Sequence, residues 1–99
     1  MSILRIVRME FREEALEAFQ AIFTESEDFI RNSPGCEYLQ LYHDASNPNV
    51  RYTYSRWAHE EDLNTYRKSE LFGKVWPRTK KLFAEKPQAY SLVLPGNKV

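Results

Sequence analysis

The spacing of apolar residues changes four times along the chain, and the resulting order of elements limits the folds open to it. Apolar and β-branched runs of strand length occur in ILRIVRMEF, CEYLQLYH, VRYTYSRW and the closing AYSLVL. Spacing of three and four residues predicts helix from about Glu13 to Asn32, and again from about His59 to Lys86. The order is β-α-β-β-α-β. It predicts an α+β, ferredoxin-like unit, in which a four-stranded antiparallel sheet carries its helices on one face.

Turn-forming residues separate these elements. Asn32-Ser33-Pro34-Gly35 is expected to end the first helix, and DASNPN is expected to join the two central strands as a hairpin. Within the second helical stretch, Ser69 is a candidate helix cap and Pro77 is tolerated only at a kink or in a first turn. The sequence therefore predicts several short helices there rather than one long helix.

Length and charge exclude several classes of function. Ninety-nine residues suit one domain over 1–99, with a core from about 3 to 94 and a short tail at 95–99. Fourteen basic and fourteen acidic residues give a formal net charge of zero, so no broad positive field attracts nucleic acid. No apolar run is long enough to span a membrane and the opening residues lack a signal peptide, so a cytoplasmic protein is expected. One cysteine and two histidines predict neither a disulfide nor a metal site.

The first strand has apolar residues on both faces, so we expect both faces of the sheet to be covered. One face carries Leu4 and Ile6, and the tyrosines at 38, 42, 52 and 54 are expected on the same side. In a monomer these residues would form a large exposed apolar patch. A second copy packed sheet against sheet would cover it, so we predict a homodimer through this face.

The other face, toward the helices, is expected to carry Thr53, Ser55 and Trp57. There Trp57 would meet the aromatic residues Phe23, Phe72 and Trp76. Such a group is either a filled aromatic core or the wall of a small-molecule pocket. Arg5 alternates with Ile3 and Val7 and would favour a pocket if it points inward, because a buried charge needs a partner or a ligand. It could equally lie near solvent at the start of the strand.

Candidate catalytic bases are few. His43 ends the second strand beside Asp44, where the imidazole is either an oriented base or an exposed residue of the hairpin. His59 is interpreted as a residue at the start of a helix. Paired catalytic carboxylates, nucleophile elbows and glycine-rich phosphate loops are absent from the sequence.

Three features follow one another in the sequence: a strand that ends in Trp57, an acid-rich helix start and the segment YRKSELFGKVWP. Together they resemble the antibiotic biosynthesis monooxygenase family of the dimeric α+β barrel superfamily. The resemblance runs from Ile3 to about Leu94, and its most specific element is Lys68-Ser69-Glu70-Leu71-Phe72 after the tryptophan. It implies a dimer with a pocket between sheet and helices in each subunit. It also implies oxidation of aromatic, quinol-like substrates by dioxygen without metal or flavin, so no cofactor is expected.

The same resemblance implies roles for individual residues. Trp57 matches a tryptophan that lines the pocket, while Thr53 stands where antibiotic-pathway members carry an asparagine and becomes, with His43, a candidate catalytic residue. Members of the haem-degrading branch use an axial histidine and a first-strand asparagine, and the corresponding residues here are Trp76 and Val7. Haem degradation is therefore not expected. The predicted substrate-binding residues are Arg5, Val7, Phe23, Thr53, Trp57, Phe72 and Trp76.

Three hypotheses follow for the function of the chain. The first is a cofactor-independent monooxygenase acting on a small aromatic molecule of the phenol or quinol type. The second is a dimeric binding module without catalysis, which the scarcity of bases favours. The third is a structural dimer with a filled core, and an empty cavity beside Trp57 would exclude it.

Overall fold

The computed structural model of the protein describes residues 2–93. Their elements, in chain order, are β1 (Ile3–Glu10), a short 3₁₀ helix (Glu13–Ala15), α1 (Leu16–Arg31), β2 (Cys36–His43), β3 (Val50–Trp57), α2 (Glu60–Arg67), α3 (Glu70–Lys80) and β4 (Gln88–Leu92). The predicted order of strands and helices is confirmed. The predicted tail at 95–99 and the residue Leu94 lie outside the described residues. Between residues 2 and 93, no helix is both long and apolar enough to cross a membrane.

The four strands form one antiparallel sheet in the order β2-β3-β1-β4, as the ferredoxin-like prediction requires. The two central strands are β3 and β1. Their register sets Ile3, the first residue of β1, opposite Trp57, the last residue of β3. The ladder between β2 and β3 shifts between Cys36 and Tyr38, so Glu37 is the extra residue of a β-bulge. This bulge allows Cys36 to lie beside Trp57 while Tyr38 lies beside Arg56, on the opposite face of the sheet.

The helices cover one face of the sheet, and the core lies between the two layers. Phe11, which is fully buried, stacks on Phe19 of α1 at a ring distance of 4.3 Å and contacts Phe83 at 5.3 Å. The buried cluster around it consists of Met9, Phe11, Phe19, Phe23, Ile30 and Leu39. The apolar stripe of α1 therefore packs where its helical spacing predicts, against the inward residues of β1 and β2.

Ser69 separates α2 from α3 as a cap. Its hydroxyl accepts a hydrogen bond from the backbone N–H of Phe72 at 3.1 Å and donates one to the carbonyl of Tyr66 at 2.6 Å. Of the two places expected for Pro77, a kink or a first turn, the first turn is excluded, since Pro77 lies well inside α3. The hydrogen bond that it cannot donate would have gone to the carbonyl of Gly73, which lies on the exposed side of the helix and can bind water instead.

The outer face of the sheet carries the predicted apolar residues. The register places Ile6 between Tyr54 of β3 and Tyr90 of β4, and Leu4 beside Leu92. Tyr38, Tyr42, Tyr90 and Leu92 are exposed. The hydroxyls of Tyr38 and Tyr42 are 3.1 Å apart, and the Tyr38 ring packs edge-on against Tyr54. The helices leave this face uncovered.

Candidate functional site

A cavity of about 250 Å³ lies between the inner face of the sheet and the helices. Its lining residues come from β1, β2, β3, α1, α2 and α3, together with Pro87 and Ala89 next to and within β4. A cavity of about 150 Å³ holds benzene. The space here therefore suits a molecule of one or two fused rings, and it excludes a completely filled core.

The cavity exists because small side chains form its floor. In the sheet register, Arg5 lies between Ser55 and Ser91, and Val7 lies between Thr53 and Ala89. Each of these neighbours on β3 and β4 is shorter than the aromatic, leucine and isoleucine side chains found elsewhere in the core. Because the helices pack on larger side chains on either side, such as Leu39 and Trp57, the short residues leave unfilled volume between the layers.

Aromatic rings from the end of β3 and from α2 and α3 form the wall of the cavity. Tyr66 of α2 stacks on Trp57 with ring centroids 5.1 Å apart, and Phe72 packs edge-on against Tyr66 at 5.3 Å. Trp76 then stacks on Phe72 at 5.7 Å. These four rings form a continuous series that we call the aromatic wall: Trp57, Tyr66, Phe72 and Trp76. Such surfaces favour flat, apolar ligands, because aromatic pairs gain from stacked and edge-on contacts.

Trp57 is the most buried member of the aromatic wall. Its side chain is 1 % exposed, and its indole N–H donates a hydrogen bond to the hydroxyl of Ser55 at 3.0 Å. Tyr66, Phe72 and Trp76 are only half-buried. These three rings are therefore more accessible than that of Trp57.

Burial raises the pKa of Tyr66 to about 12, with a smaller contribution from Cys36. The neutral phenol is therefore the form present in the folded protein at neutral pH, and Tyr66 cannot act as a base there. Because the folded-state pKa lies above the ordinary value of 10, its contribution to stability is present below pH 10. That contribution is lost as pH rises toward 12.

We predict that replacing Tyr66 by phenylalanine reduces the loss of stability at high pH. Between pH 9 and 11.5 the wild-type protein should lose up to about 2 kcal/mol that the Tyr66→Phe variant retains, since each unit of pKa shift corresponds to about 1.4 kcal/mol. Urea unfolding at both pH values measures the difference, with the exposed Tyr90→Phe as control. Equal losses in wild type and Tyr66→Phe would contradict the burial of this phenol.

Two positive charges border the otherwise uncharged cavity. Arg5 reaches it from the centre of the sheet and Arg67 from the end of α2. The guanidinium of Arg5 donates a hydrogen bond to the hydroxyl of Ser91 at 2.8 Å. Burial lowers the pKa of Arg5, and the nearby charge of Arg67 lowers it further. Arg5 nevertheless remains protonated at neutral pH, because a guanidinium does not lose its proton in proteins.

All seven predicted substrate-binding residues line this one cavity: Arg5, Val7, Phe23, Thr53, Trp57, Phe72 and Trp76. Their contact with a substrate remains a prediction. Arg5 points toward the cavity rather than lying apart from it at the start of β1. Phe23 is buried in the core cluster, so its side chain lies away from the opening of the cavity.

His43 lies outside the cavity, exposed at the end of β2. The carboxylate of Asp44 accepts hydrogen bonds from the backbone N–H groups of Ser46 and Asn47 at 3.0 and 2.9 Å, and these bonds lower the pKa of Asp44. Asp44 thus stabilises the hairpin turn, and no hydrogen bond joins it to His43 within residues 2–93. The geometry favours the exposed hairpin histidine over the oriented base.

Sequence reasoning missed Tyr66 and Arg67 as cavity residues. Tyr66 was assigned only to an apolar helix stripe, and Arg67 resembles an ordinary cation at a helix C-terminus. One sequence feature could have identified them. Tyr66 and Arg67 follow Leu63 by three and four residues, a spacing that places all three on one side of α2. No group of three or more His, Cys, Asp or Glu side chains that could hold a metal occurs in the described part of the chain.

Comparison with known proteins agrees with this architecture. The sequence model of the antibiotic biosynthesis monooxygenase family matches residues 2–76. Comparison with curated proteins finds no match.

Solved structures are similar in fold at low sequence identity. A conserved protein from Methanosarcina mazei superposes with a TM-score of 0.90 at 15% identity, over 93% of this chain and 91% of that one. Rv0793 from Mycobacterium tuberculosis gives 0.88 at 19% identity, over 95% of each chain. SnoaB, a cofactor-independent oxygenase from Streptomyces nogalater, gives 0.83 at 13% identity, over 95% of this chain and 93% of that one. Since the family model covers most of the chain, the protein belongs to the antibiotic biosynthesis monooxygenase family.

Proposed function

We propose that the protein is a cofactor-independent monooxygenase that oxidises a small aromatic molecule of the phenol or quinol type. The observation that carries this proposal is the cavity of about 250 Å³, with its aromatic wall above a floor of short side chains. Membership of a monooxygenase family supports the reaction type. The similarity in fold to SnoaB agrees with it but carries no substrate assignment.

The proposed reaction starts from the phenolate or quinolate, because the anion is electron-rich enough to reduce dioxygen. For a phenol with a free ring position, one oxygen atom enters the ring, the other leaves as water, and the product is a quinone. The substrate supplies all the electrons. The cavity would contribute orientation between aromatic rings and partial exclusion of water. Thr53, whose hydroxyl lines the cavity, is the proposed hydrogen-bond donor to a substrate oxygen.

One observation favours the second hypothesis, a binding module without catalysis. Among the described residues that line the cavity, none is histidine, aspartate or glutamate. Tyr66, with a pKa of about 12, is no base at neutral pH. Catalysis would therefore require a substrate that loses its proton without help from the protein.

We also propose that two copies associate through the outer face of the sheet. Support comes from the exposed side chains Tyr38, Tyr42, Tyr90 and Leu92 on that face, since monomeric proteins rarely expose such apolar patches. Sedimentation equilibrium tests this association: a dimer has twice the 11.8 kDa mass of the chain. A mass of one chain at every concentration would contradict it.

Oxygen uptake tests the proposed function. The purified protein is mixed with one-ring and two-ring phenols and quinols in an oxygen electrode, and uptake without protein is subtracted. We expect saturable uptake with one dioxygen consumed per substrate for a phenol. The rate should fall at least tenfold in Trp76→Ala and stay unchanged in Phe29→Ala, whose side chain is exposed on α1.

The other outcomes separate the two hypotheses. Saturable binding of these compounds without oxygen uptake would support the binding module and overturn the monooxygenase. Absence of both binding and uptake would contradict both hypotheses.

A further inference from the structure

The two arginines at the cavity differ from most other arginines of the chain. Five other arginines each form an ion pair with a carboxylate within 4 Å: Arg8, Arg12, Arg31, Arg56 and Arg78. Within residues 2–93, neither Arg5 nor Arg67 forms one. The lining residues also include no acidic side chain in the described part of the chain. The cavity thus has two positive charges and no negative charge of its own.

This arrangement costs free energy in the empty protein. Arg5 is partly buried beside apolar side chains, and the charge of Arg67 is close enough to lower the pKa of Arg5 further. Ser91 accepts one hydrogen bond from Arg5 but supplies no negative charge. A bound anion would remove the repulsion. Each guanidinium can donate two parallel hydrogen bonds to the two oxygens of a carboxylate, or a charge-assisted hydrogen bond to the single oxygen of a phenolate.

We propose that the ligand of this cavity is an aromatic anion, whose charged oxygen lies between Arg5 and Arg67 while its ring contacts the aromatic wall. The inference rests on the proposed function of the cavity as a small-molecule site. It names the substrate class more narrowly: phenols and quinols whose ring also carries a carboxylate, or that are acidic enough to be ionised at neutral pH. A phenol that is already ionised arrives without the proton that the cavity has no base to remove, which accounts for the missing base. Either kind of anion would pair with the two cations.

The test uses two ligands that differ only in charge. 1-Naphthoate and 1-naphthamide have the same two rings, and only the naphthoate is an anion at pH 7. Isothermal titration calorimetry of the full chain at low salt should give at least tenfold tighter binding of the naphthoate. Added salt should reduce this preference, because it screens charges near the surface.

Variants assign the preference to the two residues. Arg67→Gln, at an exposed position on α2, should lower the preference several-fold, and the double variant Arg5→Gln/Arg67→Gln should abolish it while naphthamide still binds. Arg56→Gln, on the outer face and paired with Glu37, is the matched control and should keep the wild-type preference. If the double variant fails to fold, the result for Arg67→Gln alone decides whether the preference for the naphthoate depends on the cavity arginines.

Every outcome bears on the inference. Equal affinity for the two ligands in the wild-type protein would overturn the anion proposal and leave the aromatic site standing. A preference that survives in Arg67→Gln and in the double variant would also overturn it, as would its loss in Arg56→Gln. Failure of both ligands to bind would overturn the proposed function together with this inference.

Discussion

Replacing Trp57 by alanine is expected to lower the free energy of unfolding by about 3–5 kcal/mol. The side chain is 1 % exposed, stacks on Tyr66 at 5.1 Å and donates to Ser55 at 3.0 Å. Truncation removes these contacts, leaves the Ser55 hydroxyl without its donor and enlarges a cavity that already exists. The neighbouring side chains, including Ile3 and Leu63, cannot move into all of that space.

Urea unfolding at fixed protein concentration measures this effect, since association would make stability depend on concentration. Phe29→Ala is the matched control, because it removes an aromatic ring that is 66 % exposed and should change stability by no more than about 0.5 kcal/mol. If both variants lost similar amounts, or if Trp57→Ala lost less than about 1 kcal/mol, Trp57 would not have the structural role assigned to it.

This result decides which variants can test ligand binding. In Trp57→Ala, weaker binding could come from the lost ligand contact or from the lost fold. Trp76 and Phe72 are half-buried, so alanine variants at these two positions test the ligand contact with less effect on stability. Trp57→Phe retains most of the buried ring area and is the variant of choice at that position.

Replacing Gly35 by alanine is expected to cost about 2–4 kcal/mol. Gly35 has a φ angle of 83°, a left-handed conformation that residues with a Cβ adopt only with strain. The amide of Cys36 donates to the carbonyl of Ser33 at 3.0 Å, so Pro34 and Gly35 occupy the central positions of a turn of the type II class. A Cβ at residue 35 would also collide with the side chain of Asp62 at the start of α2.

Gly73→Ala is the matched control for that substitution. Gly73 lies in the exposed part of α3, and a Cβ added there meets no atom within 4 Å. Alanine should therefore stabilise the protein by about 0.5–1 kcal/mol, since glycine loses more conformational freedom on folding. Thermal unfolding of both variants gives the comparison. A Gly35→Ala variant as stable as the wild type would show that the turn adopts another conformation.

The strands and the break between α2 and α3 could be predicted because their signals are local. Alternation over eight residues defines β2 and β3, and the Ser69 hydroxyl determines where α3 begins. Pro77 could not be placed by the same logic. Its effect depends on whether the carbonyl of Gly73 faces water, and that is decided by the packing of α3 on the rest of the molecule.

The candidate site was predictable where it lies on strands. Alternation places Arg5 and Val7 on one face of β1, and the β1–β3 register sets Thr53 opposite Val7, so that all three line one cavity. Tyr66 and Arg67 were missed because the spacing of residues along a helix does not show which side of the helix packs on the sheet. The cavity itself depends on the β1–β4 register, which sets Ala89 beside Val7 and cannot be found from either strand alone.

The central claim, that the cavity binds a small aromatic molecule, is tested most directly through the two indole N–H groups of the chain. Trp57 and Trp76 are its only tryptophans, and both line the cavity. In ¹H–¹⁵N spectra titrated with 1-naphthoate, we expect both indole signals to shift and saturate together, while the amide of Gln40 on the outer face remains unchanged. Saturable shifts confined to the outer face, with both indole signals unmoved, would contradict the claim.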